Sequence, residues 1–247
     1  MACIMEKEMT VLPSVCDDTA RLGIPSIFSI FMDLASEHGE IIGVGGAELQ
    51  KKGLFWLTVK TKIKIHDCPE MMAKIKAQTW PEAPERIRAN RYYLLTDGQK
   101  PLAEGKSEWA IISTEDGKLH RIDEVYPSDI EHYENKVCNE PFRRMSDDFS
   151  DCETFCEYTV KSTDIDLGKH MNNAAYMRAI FGAFSCKEIE EMNISEAEIA
   201  FKSPCFEGEK LAVKIKKIEE EILIAMIKED GKTAVVARLL RKGKDHA

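Results

Sequence analysis

At 247 residues, 44% of them hydrophobic and 31% charged, the chain has the make-up of an ordinary globular protein with room for one large domain or two modest ones. Its net charge of −9 argues against nucleic acid as the main partner. No stretch approaches the roughly 18 apolar residues a membrane helix needs, and Met1 to Met9 lack the apolar segment of a secretory signal. The cysteines (Cys3, Cys16, Cys68, Cys138, Cys152, Cys156, Cys186, Cys205) are scattered without a C-x-x-C pair. A cytoplasmic protein with free thiols is expected, and no metal or organic cofactor is suggested.

Residues 10–24 begin with a short apolar piece, Val11 and Leu12, followed by Asp17-Asp18-Thr19, and residues 22–26 read as a loop leading to a helix. From Ile27 the apolar positions Ile27, Ile30, Phe31, Leu34, Ala35, Ile41 and Ile42 follow helical spacing, and Gly43, Gly45 and Gly46 end the helix. Phe28 and Met32 make it apolar on most sides, so other structure is expected to wrap it. Residues 57–65 alternate as a strand, with Val59, Thr61, Ile63 and Ile65 inward and three lysines outward. Residues 72–80 and 87–95 read as two more strands. Asp97-Gly98 marks a hairpin into a return strand, 101–112, whose small residues Ala103, Gly105 and Ser107 would let a helix lie close. Another turn at Asp116-Gly117 precedes residues 119–122. Residues 128–150, rich in charge and holding Pro141, read as a partly helical link.

The second half repeats the first. A strand at 155–161 leads through a polar loop to a helix from Asn173 to about Glu190. Strands follow at 197–201, 211–216, 222–228 and 233–241, the last two flanking Asp230-Gly231. Matching features lie about 130–150 residues apart, an internal duplication at domain scale. The lysine-edged strand 211–216 is matched to 59–65, and Asp230-Gly231 to Asp97-Gly98. The expected fold is α+β, each copy a long helix wrapped by an antiparallel sheet. The domains would be 1–128 and 151–247, joined by 129–150.

The polar loop is the most informative stretch. Thr163-Asp164-Ile165-Asp166-Leu167-Gly168-Lys169-His170-Met171-Asn172-Asn173 runs straight into the apolar helix. Asp166 and His170 are four apart across a flexible glycine, so a short turn can aim both at one point. Asn172 and Asn173 can cap the helix, whose first backbone N–H groups would then be left to stabilise negative charge.

Asp-Ile-Asp-x-x-x-His-Met-Asn-Asn-x-x-Tyr resembles the signature that opens the central helix of hotdog-fold thioesterases. The first half is similar to the N-terminal part of acyl-acyl-carrier-protein thioesterases. The matching pieces are residues 28–45, Gly53-Leu54-Phe55-Trp56-Leu57, Ile63-x-Ile65-x-x-x-Pro69, Thr79-Trp80-Pro81, Arg91 with the Asp-Gly hairpin, and Ser107-x-Trp109. The resemblance implies two fused hotdog domains that hydrolyse the thioester joining a fatty acid to the phosphopantetheine arm of acyl carrier protein. Two departures stand out: Gly168 sits where plant members carry Asn, and Pro204, before Cys205, sits where they carry Glu.

On this reading Asp166 is the general base on water or the direct nucleophile, and His170 bonds Asp166, positions water or polarises the carbonyl. Cys205 is a further candidate catalytic residue. Asn172 and Asn173 fix the loop or touch substrate. The acyl chain would lie in the first domain along Phe28, Phe31, Met32 and Trp56. A basic rim of Lys60, Lys62, Lys64, Arg86, Arg88 and Arg91 would meet the acidic carrier protein. Fusion of two hotdogs makes a monomer, as an internal pseudo-dimer, sufficient, with a homodimer open. The rival readings are a hotdog acyl-CoA thioesterase and a non-catalytic acyl-binding protein.

Overall fold

The structure, a computed structural model, describes residues 3–243; residues 1–2 and 244–247, which the sequence reading assigns to the two domains, lie outside the described residues. The chain divides into two compact units between Glu140 and Pro141, inside the expected link. Among the described residues no helix is long and apolar enough to cross a membrane.

The first unit runs β1 (Met5–Thr10), α1 (Ile24–Ile41), α2 (Gly46–Lys51), β2 (Leu54–Ile65), β3 (Lys74–Pro81), β4 (Ala89–Thr96), β5 (Pro101–Ser113) and the two-residue β6 (Leu119–His120). Its strands pair antiparallel in the order β1-β3-β4-β5-β2, with β6 on β5. Pro25 sits in the first turn of α1, where its missing N–H costs nothing, and Gly43 follows the helix at φ +79°. The helix buries Ile27, Phe28, Ile30, Phe31, Leu34 and Ala35. Phe31 stacks on Tyr93 of β4 with ring centroids 4.7 Å apart. Gly105 of β5 makes that approach possible, since a Cβ there would stand 2.4 Å from the Phe31 ring.

Three features of this unit differ from expectation. β1 was not anticipated: its Met-Glu-Lys-Glu-Met-Thr sequence has no buried face, and it is held as an edge strand by cross-strand pairs such as Glu6 with Lys76 and Gln78. In β2 the alternation changes phase at a bulge between Thr58 and Lys60, so Thr58 is buried before it and Thr61 and Ile63 after it. Lys62, expected to face solvent, is 2% exposed.

The second unit runs β7 (Thr154–Thr159), α3 (Asn173–Gly182), α4 (Cys186–Met192), β8 (Ile194–Phe201), β9 (Lys210–Ile218), β10 (Glu221–Lys228) and β11 (Thr233–Arg241), with sheet order β7-β9-β10-β11-β8. The helix expected to run on to Glu190 stops at Gly182. A new one starts at Ser185, whose side chain and that of Glu188 form a reciprocal capping box.

The two sheet orders are the same permutation: β1, β2, β3, β4 and β5 correspond to β7, β8, β9, β10 and β11. The Asp-Gly hairpins therefore match as expected, but the lysine-edged strand does not. β9 is the counterpart of β3, and β2 is the counterpart of β8. Alternating lysines mark any half-exposed strand, so they misaligned the repeat by one element.

The expected link contains no helix and divides into two straps. Residues up to Glu140 hold the first unit: the Trp80 indole donates to Asn135 O at 2.7 Å, Lys136 pairs with Glu82, and Ile130 packs on Ile42 and Val44. Residues from Pro141 hold the second: Arg143 N donates to Glu198 at 2.7 Å, and Phe149 is buried against Ala225 and Val236. These backbone groups bond to strand side chains and not to a helical ladder.

Candidate active site

After β7 the chain makes one 3-10 turn, Ser162–Asp164. The Asp164 carboxylate, 6% exposed, accepts from the Tyr158 hydroxyl at 2.7 Å and from Lys161 N at 2.8 Å. A one-pair bridge between Ile165 and Met171 closes the loop. Inside it Asp166 N donates to His170 O and Lys169 N to Asp166 O, both at 3.0 Å, with Lys169 at φ +63°. The loop is anchored at its far end by Met171 N to Cys205 O at 2.8 Å and Asn172 N to Asp164 O at 2.7 Å.

Asp166 and His170 thus share one turn through their backbones. Oδ1 of Asp166 accepts Gly168 N at 2.8 Å. Both side chains are half-buried, and no side-chain hydrogen bond joins them among the described residues. The His170 ring lies 5.1 Å from the ring of Phe206. Asn172 is the N-cap of α3, its side chain accepting Ala174 N at 2.8 Å, and Asn173 is the first helical residue. That cap corrects one expectation. The N–H groups of Asn172, Ala174 and Ala175 are already bound, to Asp164 O, Asn172 Oδ1 and Asn172 O respectively. The capping that stabilises the helix start thus occupies the N–H groups of Ala174 and Ala175, two of the donors that were to receive negative charge.

Cys205 reaches the loop only through its backbone oxygen. Its thiol is fully buried and hydrogen-bonded to the Tyr176 hydroxyl. Burial pushes the thiol up, against the lowering pull of that hydrogen bond and of Lys228. A thiol raised above its ordinary value stays protonated at neutral pH. Burial, and then the bond to Cys205, likewise push Tyr176 up. Below them Lys228 binds Glu209 Oε1 at 3.0 Å and Pro204 O at 3.1 Å, and Glu209 accepts Phe206 N at 3.0 Å. Burial opposes both charges of this pair, yet their mutual bond holds Glu209 below and Lys228 above its usual range. Tyr158, Glu209 and Lys228 had no role in the sequence reading, and Tyr176 entered it only as the last residue of the signature. Asp164 was legible as the first acid of the Asp-x-Asp motif, whereas Glu209 and Lys228 meet only through the fold.

The remaining expected residues lie in the first unit. Phe28, Phe31 and Met32 are buried on α1. Trp56 on β2 is half-buried, donates to Val44 O at 2.7 Å and meets Trp109 edge-on at 6.3 Å. The basic rim does not hold together. Lys62 is buried, Arg91 is 8% exposed, Lys64 pairs with Glu140 and Arg88 with Glu108. Strand alternation gives the side of a residue, not the partner that neutralises it. In the second unit a cleft of about 280 Å³ is lined by Tyr158, Lys161, Arg178, Gly182 and Val213, none of them an expected site residue.

The loop has a twin in the first unit. Asp17 N donates to Arg21 O at 2.8 Å and Ala20 N to Asp17 O at 3.1 Å, with Ala20 at φ +58° and a bridge between Cys16 and Leu22. Leu22 N donates to Pro69 O and Gly23 N to Val15 O, matching the anchors at Met171 and Asn172. Asp17 stands where Asp166 stands, and Arg21 where His170 does. Asp17 Oδ1, however, accepts three donors: Thr19 N, Thr19 Oγ1 and Arg21 N. The first copy spends its carboxylate on its own turn, and the second leaves most of it unspent.

Models of two protein families match this chain: the acyl-ACP thioesterase N-terminal domain over residues 4–130 and the acyl-ACP thioesterase C-terminal domain over residues 149–240. A palmitoyl-acyl carrier protein thioesterase of Gossypium hirsutum, described as chloroplastic, is 22% identical over 202 residues, covering 76% of this chain and 48% of its own length. The chain therefore spans about half the length of the curated relatives it matches. Among solved structures, an acyl-ACP thioesterase from Bacteroides thetaiotaomicron superposes with a TM-score of 0.88 at 20% identity, covering 97% of this chain and 98% of that one. A 12:0-ACP thioesterase from Umbellularia californica gives 0.80 at 16% identity, covering 99% of each. The fold is the α+β double hotdog.

Proposed function

The chain belongs to the acyl-ACP thioesterase family, and from that premise we propose that it hydrolyses the thioester between a fatty acyl chain and the phosphopantetheine arm of acyl carrier protein, releasing the free acid. The observation that carries this reading is the contrast between the twin loops. Asp166 has a half-buried carboxylate with a single hydrogen bond among the described residues, on Oδ1, in a turn anchored at both ends.

In this scheme Oδ2 of Asp166 takes a proton from water or attacks the thioester carbon directly. The His170 ring, which makes no bond to Asp166, polarises the carbonyl and stabilises the developing oxyanion. Asn172 and Asn173 hold the loop on α3. Cys205 acts through its backbone, as the anchor of Met171, and its protonated thiol is not the nucleophile. Phe28, Phe31, Met32 and Trp56 line the path of the acyl chain. Eight free thiols support a reducing, cytoplasmic setting.

Matched acyl-ACP and acyl-CoA thioesters of one chain length test the reading directly. Faster turnover of the carrier-protein thioester is expected, and faster turnover of the CoA thioester overturns the choice of carrier. Unchanged hydrolysis in Asp166→Asn removes the catalytic assignment.

A further inference from the structure

The core of the first unit contains a cation with no counter-charge among the described residues. Arg91, on the inner face of β4, makes two side-chain hydrogen bonds among the described residues, both from Nη1: to His38 Nδ1 at 2.9 Å and to Thr79 Oγ1 at 3.2 Å. Because the guanidinium can only donate, His38 Nδ1 accepts, which fixes the proton of a neutral ring on Nε2. Thr79 gives its own proton to Tyr92 O at 3.0 Å and so is also an acceptor for Arg91. No carboxylate oxygen of a described residue lies within 4.0 Å of Arg91, and Nε and Nη2 bond to none of the described residues. The Tyr126 hydroxyl, close enough to feel the Arg91 charge, is buried with no partner among the described residues.

Burying a guanidinium without a counter-charge and leaving a buried hydroxyl unbonded both oppose folding. Chains keep such groups when something else completes them. The surroundings are apolar: Tyr126 packs with Trp56 against Ile42, Val44, Leu49 and Ile111, and Tyr93, next along the inner face of β4, stacks on Phe31. A donor fork and a hydroxyl inside an oily core fit one chemistry, a carboxylate carried at the end of an alkyl chain.

We propose that Arg91 and Tyr126 form a binding site in the first unit for the carboxylate of a chain-bearing acid. The chain would lie along the same α1-to-sheet contact that the functional reading gives to the acyl group, so the inference rests in part on that reading. Two sources supply the group: a free fatty acid, or an acyl substrate carrying a second carboxylate at its far end.

Titration calorimetry with decanoate, decanol and the ω-carboxylated decanoyl thioester distinguishes them, and it does not require turnover. Decanoate is expected to bind the full chain at least tenfold more tightly than decanol, with Arg91→Met abolishing the difference and Tyr126→Phe reducing it severalfold. If the ω-carboxylated thioester shows the Arg91-dependent gain and decanoate does not, the site reads substrate; the reverse identifies the free acid. Equal binding of decanoate and decanol together with no Arg91-dependent gain for the ω-carboxylated thioester, or a preference that survives in both variants, overturns the proposal. Thermal melts of each variant certify folding, and Tyr126→Phe keeps the test open if Arg91→Met does not fold. A protein that binds decanoate through Arg91 but hydrolyses no acyl-ACP refutes the functional reading and leaves this site standing.

Discussion

Asp17 and Asp166 occupy the same position in two copies of one loop and differ in how much of the carboxylate the loop consumes. Three donors converge on Oδ1 of Asp17, and one on Oδ1 of Asp166. The matched substitutions should therefore separate. Asp17→Asn should lower stability by about 1 kcal/mol or less, since the site is exposed, with kcat nearly unchanged. Asp166→Asn should reduce kcat at least ~100-fold with the melting temperature held. Denaturation midpoints and single-turnover rates on both proteins check this, and equal loss of rate in the two would refute the division of labour.

Tyr158 and Asp164 set the loop's entry. The hydroxyl of Tyr158 is pushed up to about 12 by burial and then by its bond to Asp164, as expected of a donor to a carboxylate. Removing that bond in Tyr158→Phe should cost about 1 kcal/mol and loosen the loop. Faster amide exchange at Asp166 and Lys169, together with a severalfold fall in kcat at unchanged KM, is the expected signature.

Cys205→Ala should retain turnover within about tenfold, because the thiol that it removes is buried and protonated while the backbone oxygen that anchors Met171 remains. Iodoacetamide should leave Cys205 unmodified in the native protein at pH 7, by mass spectrometry of tryptic peptides. Rapid alkylation with matching loss of activity would restore the thiol as a candidate nucleophile.

Gly105→Ala should destabilise the first unit by about 1–3 kcal/mol, since its Cβ meets the Phe31 ring, which is itself stacked on Tyr93. Phe31→Leu in the same background should recover part of the loss. Urea midpoints of the two single variants and the double variant measure the coupling.

The second unit carries an acid-sensitive pair. Arg238, on β11, bonds Glu221 Oε1 at 2.8 Å and also pairs with Glu196. The Arg238 hydrogen bond holds Glu221 below the usual carboxylate range. A depressed carboxylate contributes stability that is present above its unfolded pKa, near 4.3, and is lost as pH falls through the lower folded value. The urea midpoint should drop on acidification below about pH 4, and Arg238→Met should flatten that limb while costing about 3 kcal/mol at pH 7.

Periodicity and turn chemistry alone made most of this architecture legible. Helical spacing gave α1, two-residue alternation gave the long strands, and the paired Asp-Gly turns gave the hairpins on which the duplication is aligned. The errors came from signals that are local but ambiguous. Alternating lysines placed 211–216 opposite the wrong strand. The Ser185–Glu188 capping box stood inside an apolar run that read as one helix. β1 has no apolar face to betray it.

By itself the sequence determined the loop. Asp-x-Asp-x-x-x-His-x-Asn-Asn specifies a capped helix start and a turn between Asp166 and His170, because those bonds close within a few residues. Only the tertiary structure decided what each polar group is left to do. Met171 is anchored on Cys205, Glu209 meets Lys228 beneath it, and Arg91 turns inward to His38 and Thr79. Each of these outcomes depends on which distant groups arrive as neighbours, and on how much water burial removes from around them.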